Sequence, residues 1–306
     1  MNKPELLAPS GNLKTLKAAV QAGADAVYLG AGKFSARAFA GNFDGSELDA
    51  AIKYAASANV KVYLAINTLM ADRELADALS IVKQAYHAGA AAFIVQDLGL
   101  ASVIKQNYPD AVLHASTQMT AQTLKDVNIL GELGFKRVVM ARELSRSQIS
   151  EIATNTKLEL EIFVHGALCS SYSGQCLMSS FIGGRSANQG KCAQPCRLPY
   201  KSANKNGVLL SLKDLCLIDY VGELAKIGVA SLKIEGRMKG EDYVRAVVGA
   251  YRSVLDDNQL SDKQKKAMLS VFDRGGYTDG YYTGNREGMY MESLKNPYGK
   301  GASNAN

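Results

Sequence analysis

The chain has 306 residues, 47% of them hydrophobic and 21% charged, with five cysteines and a formal net charge of +6. These values exclude a disordered chain and a disulfide-stapled miniature domain, and they allow one large domain with a sizeable core. No apolar run approaches the ~18 residues that span a bilayer, and residues 1 to 30 carry no signal-peptide pattern, so a cytoplasmic protein with reduced thiols is expected.

A strand opens the chain at Glu5-Leu6-Leu7-Ala8, and an amphipathic helix follows over Leu13 to Ala22. From there one unit recurs: a helix ends at Gly or Asn, takes a short polar step and enters a run of β-branched or aromatic residues. Gly23-Ala24-Asp25 leads into Ala26 to Gly30, and Ala58-Asn59 into Val60 to Ile66. Gly89-Ala90-Ala91 leads into Ala92 to Val95, Gly134-Phe135-Lys136 into Arg137 to Met140, and Ile227-Gly228-Val229 into Ser231 to Ile234. The runs Ala111 to His114 and Leu158 to Val164 complete eight strand candidates. Amphipathic stretches over Glu47 to Ser57, Leu75 to His87, Ala121 to Leu130 and Ser147 to Ala153 separate most of them. Eight alternations predict an α/β fold, a closed (β/α)8 TIM-like barrel. A doubly wound open sheet is the second choice, because Gly30-Ala31-Gly32 falls short of the G-x-G-x-x-G such a sheet carries after its first strand.

The barrel is assigned to residues 1–272, with a cysteine-containing insertion of about sixty residues, 166–228, between the seventh and eighth strands. Asp242 to Leu255 reads as the last barrel helix and Asp262 to Phe272 as another. Residues 273–298 are Gly- and Tyr-rich and read as an ordered flap, and 299–306 as a disordered tail.

In such a barrel, chemistry sits on the loops at the carboxyl ends of the strands. Those ends carry Ser10 and Asn12, Asn67 and Thr68, Asp97, His114 with Gln118, Arg142, His165, and Glu235 with Arg237. Ser10, Asn12 and Thr68 read as helix caps, and His87, at the end of a helix, as a partner of the helix dipole. Asp97, His114, His165 and Glu235 are the candidate catalytic groups. Asn67, Gln118, Arg142 and Arg237 are candidate substrate ligands. No Ser/His/Asp, Cys/His or His-Glu-x-x-His arrangement is visible, so hydrolysis has no evident machinery.

Between Glu161 and Asp214 the chain has no acidic residue, whereas Arg185, Lys191, Arg197, Lys201, Lys205 and Lys213 fall there and equal the net charge. This is either a surface for phosphates or carboxylates or a solvated basic loop; Arg185 and Arg197 are its candidate ligands. Gly183 to Lys191 fails as a phosphate loop, since Arg185 and Cys192 stand where Gly and Ser or Thr are required.

The insertion 166–228 holds all five cysteines. Cys169 and Cys176 are separated by six residues, Cys192 and Cys196 by three, and fifteen residues lie between the pairs. Four thiolates from one loop can surround a metal centre. Structural zinc favours two-residue gaps, whereas iron–sulfur clusters accept varied spacings, so iron–sulfur is favoured and zinc stays open. Cys216 is the spare, a core residue or a substitute ligand.

The stretch Glu161-Ile-Phe-Val-His-Gly-Ala-Leu-Cys169-Ser-Ser-Tyr-Ser-Gly-Gln-Cys176 resembles the signature of the collagenase-like peptidase family U32. Pro4 to Gly11, Gly23 to Gly30, Asn188-Gln-Gly-Lys-Cys192-Ala-Gln-Pro-Cys196-Arg197 and Ser231-Leu-Lys-Ile-Glu-Gly-Arg237 agree with it, over nearly the whole chain. The resemblance implies a hydroxylation protein rather than a protease. Members make 5-hydroxyuridine in tRNA with prephenate, 5-hydroxycytidine in 23S rRNA, or, as a pair of subunits, hydroxylate the ubiquinone ring without oxygen. It further implies a [4Fe–4S] cluster on Cys169, Cys176, Cys192 and Cys196. An RNA-modifying hydroxylase is therefore expected, with RNA as partner and prephenate as co-substrate. Arg142 and Arg237 would hold the donor's carboxylates. A U32-type peptidase and a ubiquinone-type ring hydroxylation protein with a second U32-type subunit are the alternatives. Larger family members carry a C-terminal accessory domain not seen here, for which a separate partner subunit or a shortened chain are the two explanations.

Overall fold

The structure, a computed structural model, describes residues 3–37, 41–257, 259–272 and 274–292. Eight parallel strands close on themselves: β1 Glu5–Pro9, β2 Ala26–Gly30, β3 Lys61–Ile66, β4 Ala92–Val95, β5 Leu113–Ala115, β6 Arg137–Val139, β7 Glu159–Gly166 and, after three short strands of the insertion, β11 Ser231–Ile234. Each pairs with the next, and β11 pairs with both β7 and β1, so the eight-stranded barrel closes without an edge. The predicted barrel is the observed one.

The helices of the outer layer are α1 Leu13–Gln21, α2 Gly45–Ser57, α3 Leu75–Ala88, α4 Leu98–Asn107, α5 Leu124–Glu132, α6 Arg146–Asn155, then α8 Val221–Ile227 and α9 Glu241–Leu255. Asn12 caps α1, its side chain accepting from the Thr15 N–H at 3.0 Å. The recurrent junctions work as read: Gly89 and Gly228 close α3 and α8 with φ of 97° and 93°, a left-handed turn that favours glycine. The apolar core fills the shell between strands and helices, where Leu6, Leu29, Leu64, Val95 and Tyr251 are buried.

The barrel interior is different. Leu7, Tyr28, Tyr63 and Ile94 form a small apolar plug, and beneath it charges are paired in full burial. Lys233 Nζ lies 2.7 Å from Glu161, and Arg137 reaches Glu5 at 2.6 Å and Glu161 at 3.3 Å. Buried ions of this kind persist only when paired and hydrogen-bonded, and the Tyr63 hydroxyl adds a bond to Glu5 at 2.7 Å.

Residues 166–228 are more regular than an irregular loop. They hold α7 Met178–Gly183, the hairpin β8 Tyr200–Lys201 with β9 Asn206–Gly207, and β10 Asp214–Cys216, before α8 restores the barrel repeat. Strand β10 runs antiparallel to the end of β7, and β12 Tyr277–Thr278 pairs with it in parallel. Beyond α10 Asp262–Ser270, residues 274–292 add α11 Gly280–Thr283 and bury Met289 and Met291. Arg274 seals this contact on the buried Asp214 carboxylate. Residues 293–298 of the expected flap and the 299–306 tail lie outside the described residues.

Candidate active site at the barrel mouth

Glu235, directly after β11, lies at the mouth with a guanidinium on either side. Its Oε2 accepts from Arg142 Nη2 at 2.8 Å and from Arg37 Nη2 at 3.0 Å. Arg142 donates its other arm to the Ala167 carbonyl at 2.8 Å and lies 3.9 Å above the Phe163 ring centroid. Burial pushes the Glu235 carboxyl up, but Arg37, Arg142 and Arg237 outweigh it and bring its pKa down to about 2. Glu235 is therefore a permanent anion that fixes arginines and not the proton-transfer group expected from the sequence. Three guanidiniums against one carboxylate leave a local charge of +2, complementary to a dianion.

Arg237 completes the cluster from below. Its Nη1 is buried and finds no hydrogen-bond partner among the described residues, as with Ser35 Oγ and Asn42 Oδ1. All three pack against Gly30, where an added Cβ would meet them at 2.1, 2.9 and 2.5 Å. Leaving such groups unsatisfied costs roughly 1–3 kcal/mol each. This polar cup suits a group that both accepts and donates hydrogen bonds, such as a hydroxyl or a water.

Asn67 and Gln118 are brought together at the mouth, but as braces. Asn67 Oδ1 accepts from the Ala36 N–H at 3.0 Å, holding the β2 exit loop that carries Arg37. Gln118 donates to the Asn67 carbonyl and accepts, on its own carbonyl, from Gln175 at 2.9 Å and Gln96 at 3.3 Å. One chain of amides thus ties the cysteine-bearing insertion to Arg37.

Several expected site residues lie elsewhere. Asp97 is the N-cap of α4, accepting from Leu100 N–H at 2.9 Å and from Met70 N–H at 3.4 Å. His114 is sealed inside the barrel, 4.7 Å edge-on to Tyr63. Burial, then the Arg137, Lys233 and Lys61 charges, hold its pKa well below the usual histidine range. His165 faces outward onto α9, beside Tyr251 and Tyr243, because a bulge shifts the β7–β11 register by one residue. A one-residue slip moves a side chain to the other face of a sheet. Burial lowers the His165 pKa to about 4, with Asp214 opposing. Arg197 is buried and donates to Ser211 Oγ at 2.7 Å, to the Leu168 carbonyl at 2.6 Å and to the Leu212 carbonyl. It holds the insertion together and does not face solvent. Arg185, exposed, donates to the Lys191 carbonyl at 2.9 Å.

Sequence reasoning missed Arg37, which follows β2 on the functional face; an arginine in a strand-exit loop was the available signal.

The five cysteines are free thiols: Cys192 is exposed, the others half-buried. Burial raises the Cys169 thiol, while the Ser171 backbone N–H and Arg142 lower it, and Cys196 and Cys176 are near enough to raise it. Backbone N–H groups of Met178 and Gln194 approach Cys176 and Cys192 sulfurs at 3.4 and 3.3 Å. Among the described residues no three His, Cys, Asp or Glu side chains are gathered closely enough for one metal ion. Cys216 sits apart on β10, meeting the Tyr251 hydroxyl.

Among the described residues no helix is long and apolar enough to cross a membrane. The chain is 40% identical over 300 residues to an uncharacterized protease of Methanocaldococcus jannaschii, covering 91% of this chain and 72% of that one. It is 40% identical over 261 residues to the 23S rRNA 5-hydroxycytidine C2501 synthase of Escherichia coli K12, covering 82% of this chain but only 39% of the synthase. It is 38% identical over 268 residues to tRNA hydroxylation protein P1 of Bacillus subtilis 168, covering 83% of this chain and 63% of the relative. A solved U32 peptidase superposes with a TM-score of 0.52 at 15% identity, over 77% of this chain and 94% of that one, a likeness of fold. The family model described as peptidase family U32 matches residues 11–292, and the chain belongs to that family.

Proposed function

We propose that this chain is the catalytic barrel of an RNA-modifying hydroxylase that places a hydroxyl on C5 of a pyrimidine in tRNA or 23S rRNA, with a prephenate-like dicarboxylate as donor. The observation that carries the reading is the Arg37–Glu235–Arg142 clamp with Arg237 behind it. Its +2 charge matches two carboxylates, and bidentate guanidinium recognition is the strong way to hold them. The relatives named for tRNA and rRNA hydroxylation supply the substrate class. Arg37 and Arg142 bind the donor's carboxylates, and the cup over Gly30 takes its ring hydroxyl. The neutral, enclosed histidines take no part in proton transfer.

Cys169, Cys176, Cys192 and Cys196 would hold a [4Fe–4S] cluster. Four thiols on one insertion, two of them already receiving backbone N–H groups, fit that donor set. Zinc on the same four thiols is the alternative, and metal and sulfide analysis of the isolated protein separates the two. When bound, such a cluster supplies one-electron transfer.

A peptidase reading draws on the names of the M. jannaschii relative and the solved U32 structure. Against it, His114 and His165 contact tyrosines, and neither hydrogen-bonds a serine or cysteine among the described residues. The deciding experiment is nucleoside mass spectrometry of tRNA and rRNA from a deletion strain. Loss of a 5-hydroxypyrimidine that returns on complementation supports the proposal, and unchanged levels in both RNAs overturn it.

A further inference from the structure

The insertion carries an apolar face that is exposed among the described residues. On α7 Phe181 is 86% exposed and Ile182 66%, with Leu177, just before the helix, at 56%. Exposed apolar clusters of this kind mark contact surfaces. The segment that carries it has charge of a single sign: the run from 162 to 213 lacks an acidic residue, and Arg185, Lys191, Lys201 and Lys205 are exposed within it. The face is also firmly placed. Ser179 Oγ on the buried side of α7 accepts from the Ala193 N–H at 2.7 Å, and the Arg185 bond to the Lys191 carbonyl fastens the helix exit. The segment just before α7 is tied to the mouth through Gln175 and Gln118.

We infer that α7 is a stacking platform for an unpaired nucleotide of single-stranded RNA, with Phe181 against the base and the segment's lysines and arginine on the phosphates. An aromatic ring serves any base because every base has a π-face, and a basic groove tracks the backbone beside it. A protein partner would use the apolar residues without needing the acid-free run of fifty residues that carries them. A paired duplex cannot use the ring, because its bases are already stacked. The inference rests on the RNA reading above and extends it: the substrate is held in an unpaired loop, with the contact nucleotide beside the one that enters the barrel.

The test uses the full chain and two fluorescein-labelled probes, an RNA hairpin with an unpaired loop and a fully paired RNA duplex. Phe181→Ala is expected to weaken hairpin binding roughly tenfold, to leave duplex binding unchanged, and to be rescued by Phe181→Tyr. Since the chain has no tryptophan, Phe181→Trp creates a lone reporter whose emission is quenched when the hairpin binds. Hairpin binding that survives Phe181→Ala, or tryptophan emission unchanged at saturation, overturns the platform while leaving the RNA reading intact. Wild-type protein that binds neither probe overturns both. A Phe181→Ala chain that instead changes oligomeric state in light scattering assigns the face to a second copy and overturns the inference.

Discussion

His165 stands opposite Ile234 across β7 and β11, one residue out of step with the pairing of Phe163 and Lys233. That step removes His165 from the mouth and buries it against Tyr251. Its pKa of about 4 lies below the ordinary 6.5, so the unfolded chain binds more protons between those values. The stabilisation is complete above pH ~6.5 and is lost as pH falls toward 4, on the order of 3 kcal/mol if fully expressed. Denaturant melts from pH 7.5 to 4.5 should show this loss, and His165→Gln should flatten it. A change in the pH dependence of turnover with unaltered melts would contradict the assignment.

Glu235 has the opposite sign. Its carboxyl is depressed to about 2, so its stabilising charge is present above pH ~4.5 and fails only as pH falls through 2. Glu235→Gln should leave three guanidiniums facing one another and cost about 3–5 kcal/mol. Conversely, no activity limb titrating between pH 5 and 8 should trace to this residue, as pH–rate profiles of the Glu235→Asp variant would show.

Arg37 and Ser35 separate carboxylate recognition from hydroxyl recognition. Arg37→Ala should weaken prephenate binding about tenfold or more, the effect of losing roughly 1.5–3 kcal/mol of charge-assisted hydrogen bonding. Malonate, which has no hydroxyl, should weaken in parallel. Ser35→Ala should weaken prephenate while sparing malonate, whereas Gly30→Ala, whose Cβ would meet Arg237 Nη1 at 2.1 Å, should weaken both. Calorimetry with both ligands gives the comparison, and equal losses in the Ser35 variant would mean that the cup does not read a hydroxyl.

The cysteines make a compositional prediction. After anaerobic reconstitution the wild-type chain should carry about four iron and four sulfide. Serine at Cys169, Cys176, Cys192 or Cys196 should strip the brown absorption. Cys216→Ser should keep it, because that thiol lies apart on β10. Stoichiometric zinc without sulfide in freshly isolated protein would reverse the assignment.

Much of the fold is legible because the alternation of helix and strand is strongly periodic and its junctions end in glycine or asparagine. Helix α4 escapes notice: Gly99 at its second position and the sequence Leu98-Gly-Leu-Ala-Ser-Val give no clean stripe. The site is harder to read. A strand end identifies which residues reach the mouth only while alternation holds, and nothing in Phe163-Val164-His165 announces a bulge. Arg197 looks like one more charge in a basic segment, yet three internal acceptors bury it. Arg37 is seven residues beyond its strand, and the brace from Asn67 to Ala36 with the bond to Glu235 brings its loop to the mouth.

The paired ions of Glu5, Arg137, Glu161 and Lys233 close the barrel at its amino-terminal end, so traffic in and out is one-ended. Under the proposed function both reactants share a single doorway, and a bulky polynucleotide resting across it would trap or exclude the small donor. Turnover should therefore follow a compulsory order, with the dicarboxylate entering first and its residue leaving last. Steady-state kinetics would register this as competitive inhibition of the fresh donor by the spent one, and uncompetitive inhibition of the donor by an unreactive RNA.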